Sequence, residues 1–152
     1  MKKTYHLTEE GLKDLQAELD KLISRRPEIA EAIKMARELG DLSENDEYRS
    51  SKDEQEKNEQ RITEINSILA NFQIIKEKNS GGKVALGSTV KLKNNSQSKT
   101  FQIVGTVEAD PINGKISDES PIGKQILGKS IGDEVQIVTP KETLVYKITQ
   151  IN

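Results

Sequence analysis

The chain has 152 residues, of which 33% are hydrophobic, 32% charged and 3% aromatic, with a formal net charge of −2. This length allows one or two small domains, and the charge excludes a protein that coats nucleic acid through a generally basic surface. The absence of cysteine excludes disulfides, thiol catalysis and cysteine-ligated zinc. No apolar signal-peptide core follows the N-terminal lysines, and no run has transmembrane length. We therefore expect a cytoplasmic protein that does not contact a membrane.

The first predicted element is a long helix that ends near Leu39. Thr8 is a suitable N-cap, and the acidic residues that follow it suit the positive end of the helix dipole. Predicted core positions, which form a seam along the helix, recur at alternating spacings of three and four, as is typical of a coiled coil. They are Leu12, Leu15, Leu19, Leu22, Arg26, Ile29, Ile33 and Ala36. Pro27 removes one backbone hydrogen bond, so we predict a kink there, with two separate helices as the alternative.

A second helix is predicted from Glu44 to Lys76, after a bend at residues 40–45. Gly40 suits the left-handed position that ends a helix, and Ser43 suits the cap of the next one. The second helix carries a matching set of positions, Tyr48, Ser51, Gln55, Asn58, Ile62, Ile65, Leu69 and Phe72. The two sets are mirror images about Leu42, which predicts an antiparallel coiled-coil hairpin with an Arg26–Asn58 polar layer.

The hairpin is predicted to span residues 1–78, with its acidic bend at the tip. About 30 helical residues rise roughly 45 Å, so the tip lies far from the hairpin's base. The seam of the second helix is apolar near the base and polar near the tip, which predicts a more stable base.

A globular domain is predicted for residues 83–152, after a linker at residues 79–82. The linker is rich in Gly and Ser, and the apolar period then changes to two. The predicted strands are residues 89–93, 100–104, 116–117, 134–138 and 144–151. Ser120 and Pro121 begin a short predicted helix that ends at Gly128. The predicted fold is therefore α+β with two domains, a helical hairpin and a small antiparallel sheet with one helix.

Asp41 and Glu44 form an acidic pair at the tip. Carboxylate oxygens are the ligands that Mg²⁺ prefers, but two exposed side chains cannot complete its octahedral shell alone. The pair would therefore act only within another molecule's metal site. The alternative is structural, because a helical hairpin favours Gly, Asp and Ser at its bend and Glu in the next first turn.

Arg37 and Lys52 each follow a seam position, so both are expected on the same side of the hairpin behind the tip. Two cations there could bind a phosphate backbone, or they could be ordinary solvated charges. On the residues alone, Ser120, Pro121 and Ile122 are best explained as a helix start with one core residue. The sequence has no Ser/His/Asp set, P-loop or dinucleotide fingerprint, and so no complete active site of its own.

Residues 37–48 closely resemble the tip signature of the GreA/GreB transcript-cleavage factors of bacteria, and the GreA branch is the better match. Further resemblance to GreA lies in residues 26–29, 116–117, 120–123 and 127–129. The resemblance covers the whole chain and the order of its two domains. It implies an FKBP-like fold for the C-terminal domain, and an elongation factor whose hairpin enters the secondary channel of bacterial RNA polymerase.

The resemblance also implies roles for individual residues. Asp41 and Glu44 would help to bind an Mg²⁺ ion shared with the polymerase, which then hydrolyses its own backtracked transcript at the RNA 3′ end. The chain would need no cofactor of its own and would act as a monomer. Support of the tip is expected from Ser43, Asn45 and Tyr48, and contact with the RNA from Arg37 and Lys52. Docking on the polymerase is expected from Asp118, Ser120, Pro121 and Ile122.

Two departures and three alternatives stand beside this interpretation. Lys52 replaces an arginine common in the family, which weakens the expected grip on RNA, and the charges of Asp118 and Glu119 differ from some relatives. An inhibitor of the same build would alter the tip acids, which are intact here. A prolyl isomerase needs an aromatic-lined site, but residues 83–152 contain only Phe101 and Tyr146 as aromatics. A simple scaffold would favour an apolar seam up to the tip.

Overall fold

The computed structural model describes residues 3–41, 44–76 and 82–152. Within these residues the chain forms four α-helices, seven β-strands and two short 3₁₀ helices. The helices are α1 Glu9–Ser24, α2 Arg26–Glu38, α3 Asp46–Ala70 and α4 Pro121–Ile126. The strands are β1 Tyr5–Leu7, β2 Phe72–Ile74, β3 Thr89–Lys93, β4 Ser98–Val104, β5 Lys115–Ser117, β6 Glu134–Val138 and β7 Thr143–Ile151. The 3₁₀ helices are Thr106–Glu108 and Pro111–Asn113.

The chain divides into two compact units. The hairpin unit is Leu12–Asn71, and the globular unit combines Met1–Gly11 with Phe72–Asn152. The expected linker at residues 79–82 lies outside the described residues except for Gly82. No helix among the described residues combines the length and apolarity that crossing a bilayer requires.

The hairpin unit is an antiparallel pair, as predicted. Contacts between its two arms join Glu18 to Arg61, Leu22 to Asn58 and Ala36 to Asn45. Residue numbers increase along one arm as they decrease along the other, so the arms are antiparallel. The first arm is a kinked helical run, as predicted: it divides into α1 and α2, but the N–H of Arg25 still donates to the Lys21 oxygen and the N–H of Ile29 to the Arg25 oxygen. The break is confined to Arg25, which keeps helical dihedrals of φ −78° and ψ −17°. Pro27 has no N–H to continue the ladder, which accounts for the break.

The second arm is shorter at both ends than predicted. α3 begins at Asp46 and its N-cap is Asn45, whereas the predicted cap Ser43 lies outside the described residues. α3 ends at Ala70 rather than Lys76, because Asn71 leaves the helical region with φ −153° and ψ 79°. The chain then forms β2, which pairs in parallel with β1. Phe72 therefore lies in a strand and not in the coiled-coil seam.

The predicted seam positions provide most of the hairpin core. Its buried members are Leu15, Ile29, Ile33, Ala36, Asn58, Ile62, Ile65 and the unpredicted Ile68. The expected Arg26–Asn58 layer is wrong, because Arg26 is exposed and pairs with Glu59 through two hydrogen bonds of 2.8 Å. Asn58 instead donates to the backbone oxygen of Leu22 at 3.0 Å. A guanidinium that reaches solvent avoids the desolvation that a buried position would require.

The globular unit contains a five-stranded sheet in the order β5-β4-β3-β7-β6. All five predicted strands are confirmed, with ends that differ by up to two residues. The sheet is mixed rather than wholly antiparallel, because β5 pairs in parallel with β4. Its core is made by alternate residues of the strands together with Ile126 of α4 and Val84, which precedes β3. The core residues are Val84, Val90, Leu92, Ile103, Ile116, Ile126, Val135, Ile137, Tyr146 and Ile148.

Candidate functional site: the hairpin tip

The bend between α2 and α3 contains the predicted acidic pair. α2 is followed by its C-cap Leu39 and by Gly40, whose φ of +123° favours glycine at this position. Asp41 and Glu44 are both exposed on the bend. Ser43, predicted to support the tip, lies outside the described residues. The two carboxylates are therefore accessible to a binding partner.

Asn45 joins the two arms at the base of this bend. Its Nδ2 donates to the backbone oxygen of Ala36 at 2.6 Å, and its Oδ1 accepts from the backbone N–H of Tyr48 at 3.1 Å. One side chain thus satisfies a carbonyl near the end of α2 and caps the start of α3. This geometry supports the expectation that Asn45 holds the tip.

Arg37 lies against the ring of Tyr48, with 5.8 Å between the guanidinium carbon and the ring centroid. This cation–π contact brings together two of the predicted residues from opposite arms. Lys52 lies one helical turn beyond Tyr48 on α3, and its Nζ donates to Oε1 of Gln55 at 3.2 Å. Both cations are exposed. Arg37, Tyr48 and Lys52 therefore form a basic and aromatic patch on the two arms next to the acidic bend.

The described residues of the tip do not form a metal site on their own. Within residues 3–41, 44–76 and 82–152 no three acidic or histidine side chains are arranged to hold an ion. Asp46 and Glu47 add negative charge in the first turn of α3. The tip can supply oxygen ligands but not a full coordination shell.

Ion pairs join the two arms along the hairpin. Glu18 accepts from Nε and Nη2 of Arg61 at 2.7 and 2.9 Å. These hydrogen bonds lower the pKa of Glu18 below its ordinary value of 4.5, against the opposing effect of burial. They also raise the pKa of Arg61, and Glu64 contributes to the same rise. Neither the Glu18–Arg61 pair nor the Arg26–Glu59 pair was predicted, because interhelical register is needed to identify such contacts.

The predicted docking residues lie around the start of α4 in the globular unit. The Ser120 hydroxyl accepts from the N–H of Gly123 at 3.0 Å and donates to the Ser117 oxygen at 2.7 Å. The backbone N–H of Asp118 donates to the Val104 oxygen at 3.0 Å. Pro121 is exposed, whereas Ile122 packs partly against the core. The structural prediction of a capped helix is confirmed, and docking stays a prediction.

Known proteins match the chain over its full length. Residues 5–74 match the family described as "Transcription elongation factor, N-terminal", and residues 78–152 match "Transcription elongation factor, GreA/GreB, C-term". The transcription elongation factor GreA of Macrococcus caseolyticus is 46% identical over 100% of this chain and 99% of the relative. GreA of Thermoanaerobacter pseudethanolicus is also 46% identical, over 99% of each chain.

A solved structure, the GreA factor homolog 1 (Gfh1) protein of Thermus thermophilus, is 29% identical over 99% of each chain, with a TM-score of 0.45. That score is too low to bear on the arrangement of this chain. The two family matches together span nearly every residue of the chain. The two relatives are each identical to it at nearly half of the aligned positions. The chain therefore belongs to the GreA/GreB family of transcription elongation factors.

Proposed function

We propose that the hairpin enters the secondary channel of bacterial RNA polymerase and stimulates the polymerase to cleave backtracked RNA. The observation that carries this proposal is the exposed pair Asp41 and Glu44 on a bend braced by Asn45. Two accessible carboxylates are suited to complete a metal shell provided mainly by another protein. Family membership supports the same role in elongation.

Asp41 and Glu44 offer hard oxygen ligands that fit a shared Mg²⁺ ion. Such an ion activates water and stabilises charge during phosphodiester hydrolysis. The contribution of this chain is to place its two carboxylates at the polymerase active centre and to orient the attacking water. The chain itself needs no cofactor and has no hydrolytic activity without the polymerase.

Arg37 and Lys52 would contact the phosphates of the displaced RNA 3′ segment. The Arg37 guanidinium is held over Tyr48, which limits its freedom before RNA arrives. Lys52 offers a single point charge on a flexible stem, so it contributes less geometric selectivity than an arginine would. The exposed basic patch therefore serves binding rather than hydrolysis.

The globular unit would dock on the rim of the channel through Asp118, Ser120, Pro121 and Ile122. The exposed Pro121 and the capped turn beneath it present a rigid surface for this contact. We assign an FKBP-like fold to this unit, without prolyl isomerase activity. Tyr146 is fully buried and Phe101 packs against the core, so neither lines an open aromatic site. The factor would act as a monomer in the cytoplasm.

The experiment that tests this function is RNA cleavage in a stalled, backtracked elongation complex with a labelled transcript. The unaltered chain should accelerate cleavage in the presence of Mg²⁺. Asp41→Asn and Glu44→Gln should retain polymerase binding and lose roughly 100-fold in stimulated rate, because each removes a ligand charge from the reacting centre. Matched controls are Asp20→Asn and Glu56→Gln, which make the same changes at exposed hairpin positions away from the tip.

Each alternative gives a different result. Binding without acceleration, or with slower cleavage, would identify an inhibitor of the same build. A chain that does not bind polymerase would be a scaffold with another partner. If variants at Asp41 and Glu44 stimulate cleavage by the polymerase as strongly as the parent, these residues act only in the structure of the bend.

A further inference from the structure

The start of α1 is held by a carboxylate that is 100 positions away in sequence. The backbone N–H of Thr8 donates to Oε2 of Glu108 at 2.8 Å, and the Thr8 hydroxyl donates to Oε1 at 2.5 Å. The same hydroxyl accepts from the N–H of Gly11 at 3.0 Å. Glu108 thus adds a charge-assisted pair of hydrogen bonds to an ordinary N-cap, at the helix end where negative charge is favoured.

Gly11 provides the space for this carboxylate. A Cβ atom built on Gly11 would overlap the carboxyl group of Glu108. Glycine within a helix is less favourable than alanine, so its presence in the first turn of α1 requires a packing reason. The approach of Glu108 supplies that reason.

The surrounding segments hold the same turn. Leu7, in β1 just before Thr8, is fully buried, and its oxygen accepts from the N–H of Ile75 at 2.7 Å. A Cβ on Gly105 would overlap the backbone oxygen of His6, so the segment that leads to Glu108 passes close to β1. We call residues 5–11, 72–75 and 105–108 the base junction. All of them belong to the globular unit.

We propose that Glu108 is a positioning residue for the tip carboxylates, acting through Thr8 and the first turn of α1. This inference rests on the proposed function. α1 continues from Glu9 to Ser24, so its first turn lies in the base junction and its remainder lies in the hairpin unit. The two helices of the first arm rise roughly 45 Å, and about 2° of play at their start displaces the far end by about 1.5 Å. Misplacement of catalytic groups by that distance lowers the rate of a reaction that depends on their geometry.

The test combines cleavage assays with thermal unfolding on the full-length chain. The variants are Glu108→Ala, Glu108→Gln, Gly11→Ala and the double Gly11→Ala/Glu108→Ala. Glutamine retains an oxygen for the Thr8 N–H and gains an amide that can donate to the Thr8 hydroxyl. Glu142→Ala, an exposed acid of the same unit, is the control for loss of charge alone.

We expect Glu108→Ala to lower the maximal stimulated rate about ten-fold, with less than a two-fold change in the concentration that gives half the effect. Glu108→Gln should restore most of the rate. Gly11→Ala should lower the melting temperature by about 2–4 °C in the parent but leave it equal or higher in the Glu108→Ala background. That reversal separates the carboxylate contact from helix propensity.

Other outcomes overturn the proposal. If Glu108→Ala stimulates cleavage like the control, or weakens binding as much as rate, then Glu108 has only a structural role. If Gly11→Ala has the same effect in both backgrounds, the carboxylate does not occupy that space. If the unaltered chain fails to stimulate cleavage, the proposed function fails and the positioning role fails with it, whereas the melting experiment still reports on the contact itself.

Discussion

The Nδ2 atom of Asn45 lies 2.6 Å from the backbone oxygen of Ala36, so a single amide connects the end of one arm to the start of the other. The same residue caps α3 through its Oδ1 atom. Both functions need the two faces of an amide, one that donates and one that accepts. An ionised aspartate, which has nearly the same shape, could only accept.

Substitutions at Asn45 should therefore separate the two bonds. Asn45→Asp keeps the acceptor for the Tyr48 N–H but cannot donate to Ala36, and should cost about 1 kcal/mol of unfolding free energy. Asn45→Ala removes both bonds and should cost about 2 kcal/mol. Urea unfolding followed by helical circular dichroism measures both. Equal losses for the two variants would show that the cap adds nothing.

The contact between Arg37 and Tyr48 should contribute a small coupling energy. Arg37 is exposed and Tyr48 is half-buried, and a guanidinium over a ring near the surface is worth about 0.5–1 kcal/mol. A double-mutant cycle with Arg37→Ala and Tyr48→Leu should return a coupling in that range. Tyr48→Phe is the control, because it keeps the ring and should retain the coupling. A coupling near zero would show that the two side chains do not interact in solution.

Much of the fold follows from local patterns in the sequence. The five strands of the sheet were predicted because the alternation of apolar and polar residues, and the turn residues between strands, are local signals in the sequence. β1 and β2 were missed because each has three residues and exists only by pairing with the other, across most of the hairpin. Ile68 was missed because a strict coiled-coil spacing selects Leu69, whereas both residues contribute to the wider apolar stripe at the base.

The site was predictable only in part. The composition of the bend identifies Asp41 and Glu44 as exposed acids, but their assignment to catalysis came from family resemblance. The cap was placed at Ser43 rather than Asn45, since both residue types are good N-caps and the sequence does not distinguish them. Glu108 carries no local signal at all, because its importance depends on a contact with Thr8 in a distant part of the chain.

The buried amide of Asn58 should stabilise the register of the hairpin. Its Nδ2 donates to the Leu22 oxygen at 3.0 Å, and its side chain is 7% exposed. Asn58→Ala should cost about 1–2 kcal/mol, because the hydrogen bond and its packing are both lost. Asn66→Ala, an exposed substitution on the same helix, should instead stabilise it by about 0.5 kcal/mol through helix propensity. Urea unfolding measures the change in unfolding free energy of both variants. Changes of the same sign would show that Asn58 does not stabilise the hairpin.

The Glu18–Arg61 pair should make hairpin stability depend on pH. Hydrogen bonds from Arg61 hold the folded-state pKa of Glu18 below its ordinary value of 4.5. A lowered carboxyl pKa contributes stability that is fully present above the unfolded-state value and is lost as pH falls through the folded-state value. The parent should therefore exceed Glu18→Gln in unfolding free energy at pH 7, and the difference should shrink below pH 4.5.

The size of this effect is limited by solvent. The side chains of Arg61 and Glu18 are 36% and 39% exposed, so screening reduces the contribution of the pair to below about 1 kcal/mol. Salt at about 1 M should reduce it further, because the Debye length is then about 3 Å. Glu31→Gln, at an exposed position of α2, is the matched control and should follow the parent at every pH. A difference between parent and Glu18→Gln that persists unchanged at pH 3 would assign the effect to packing rather than charge.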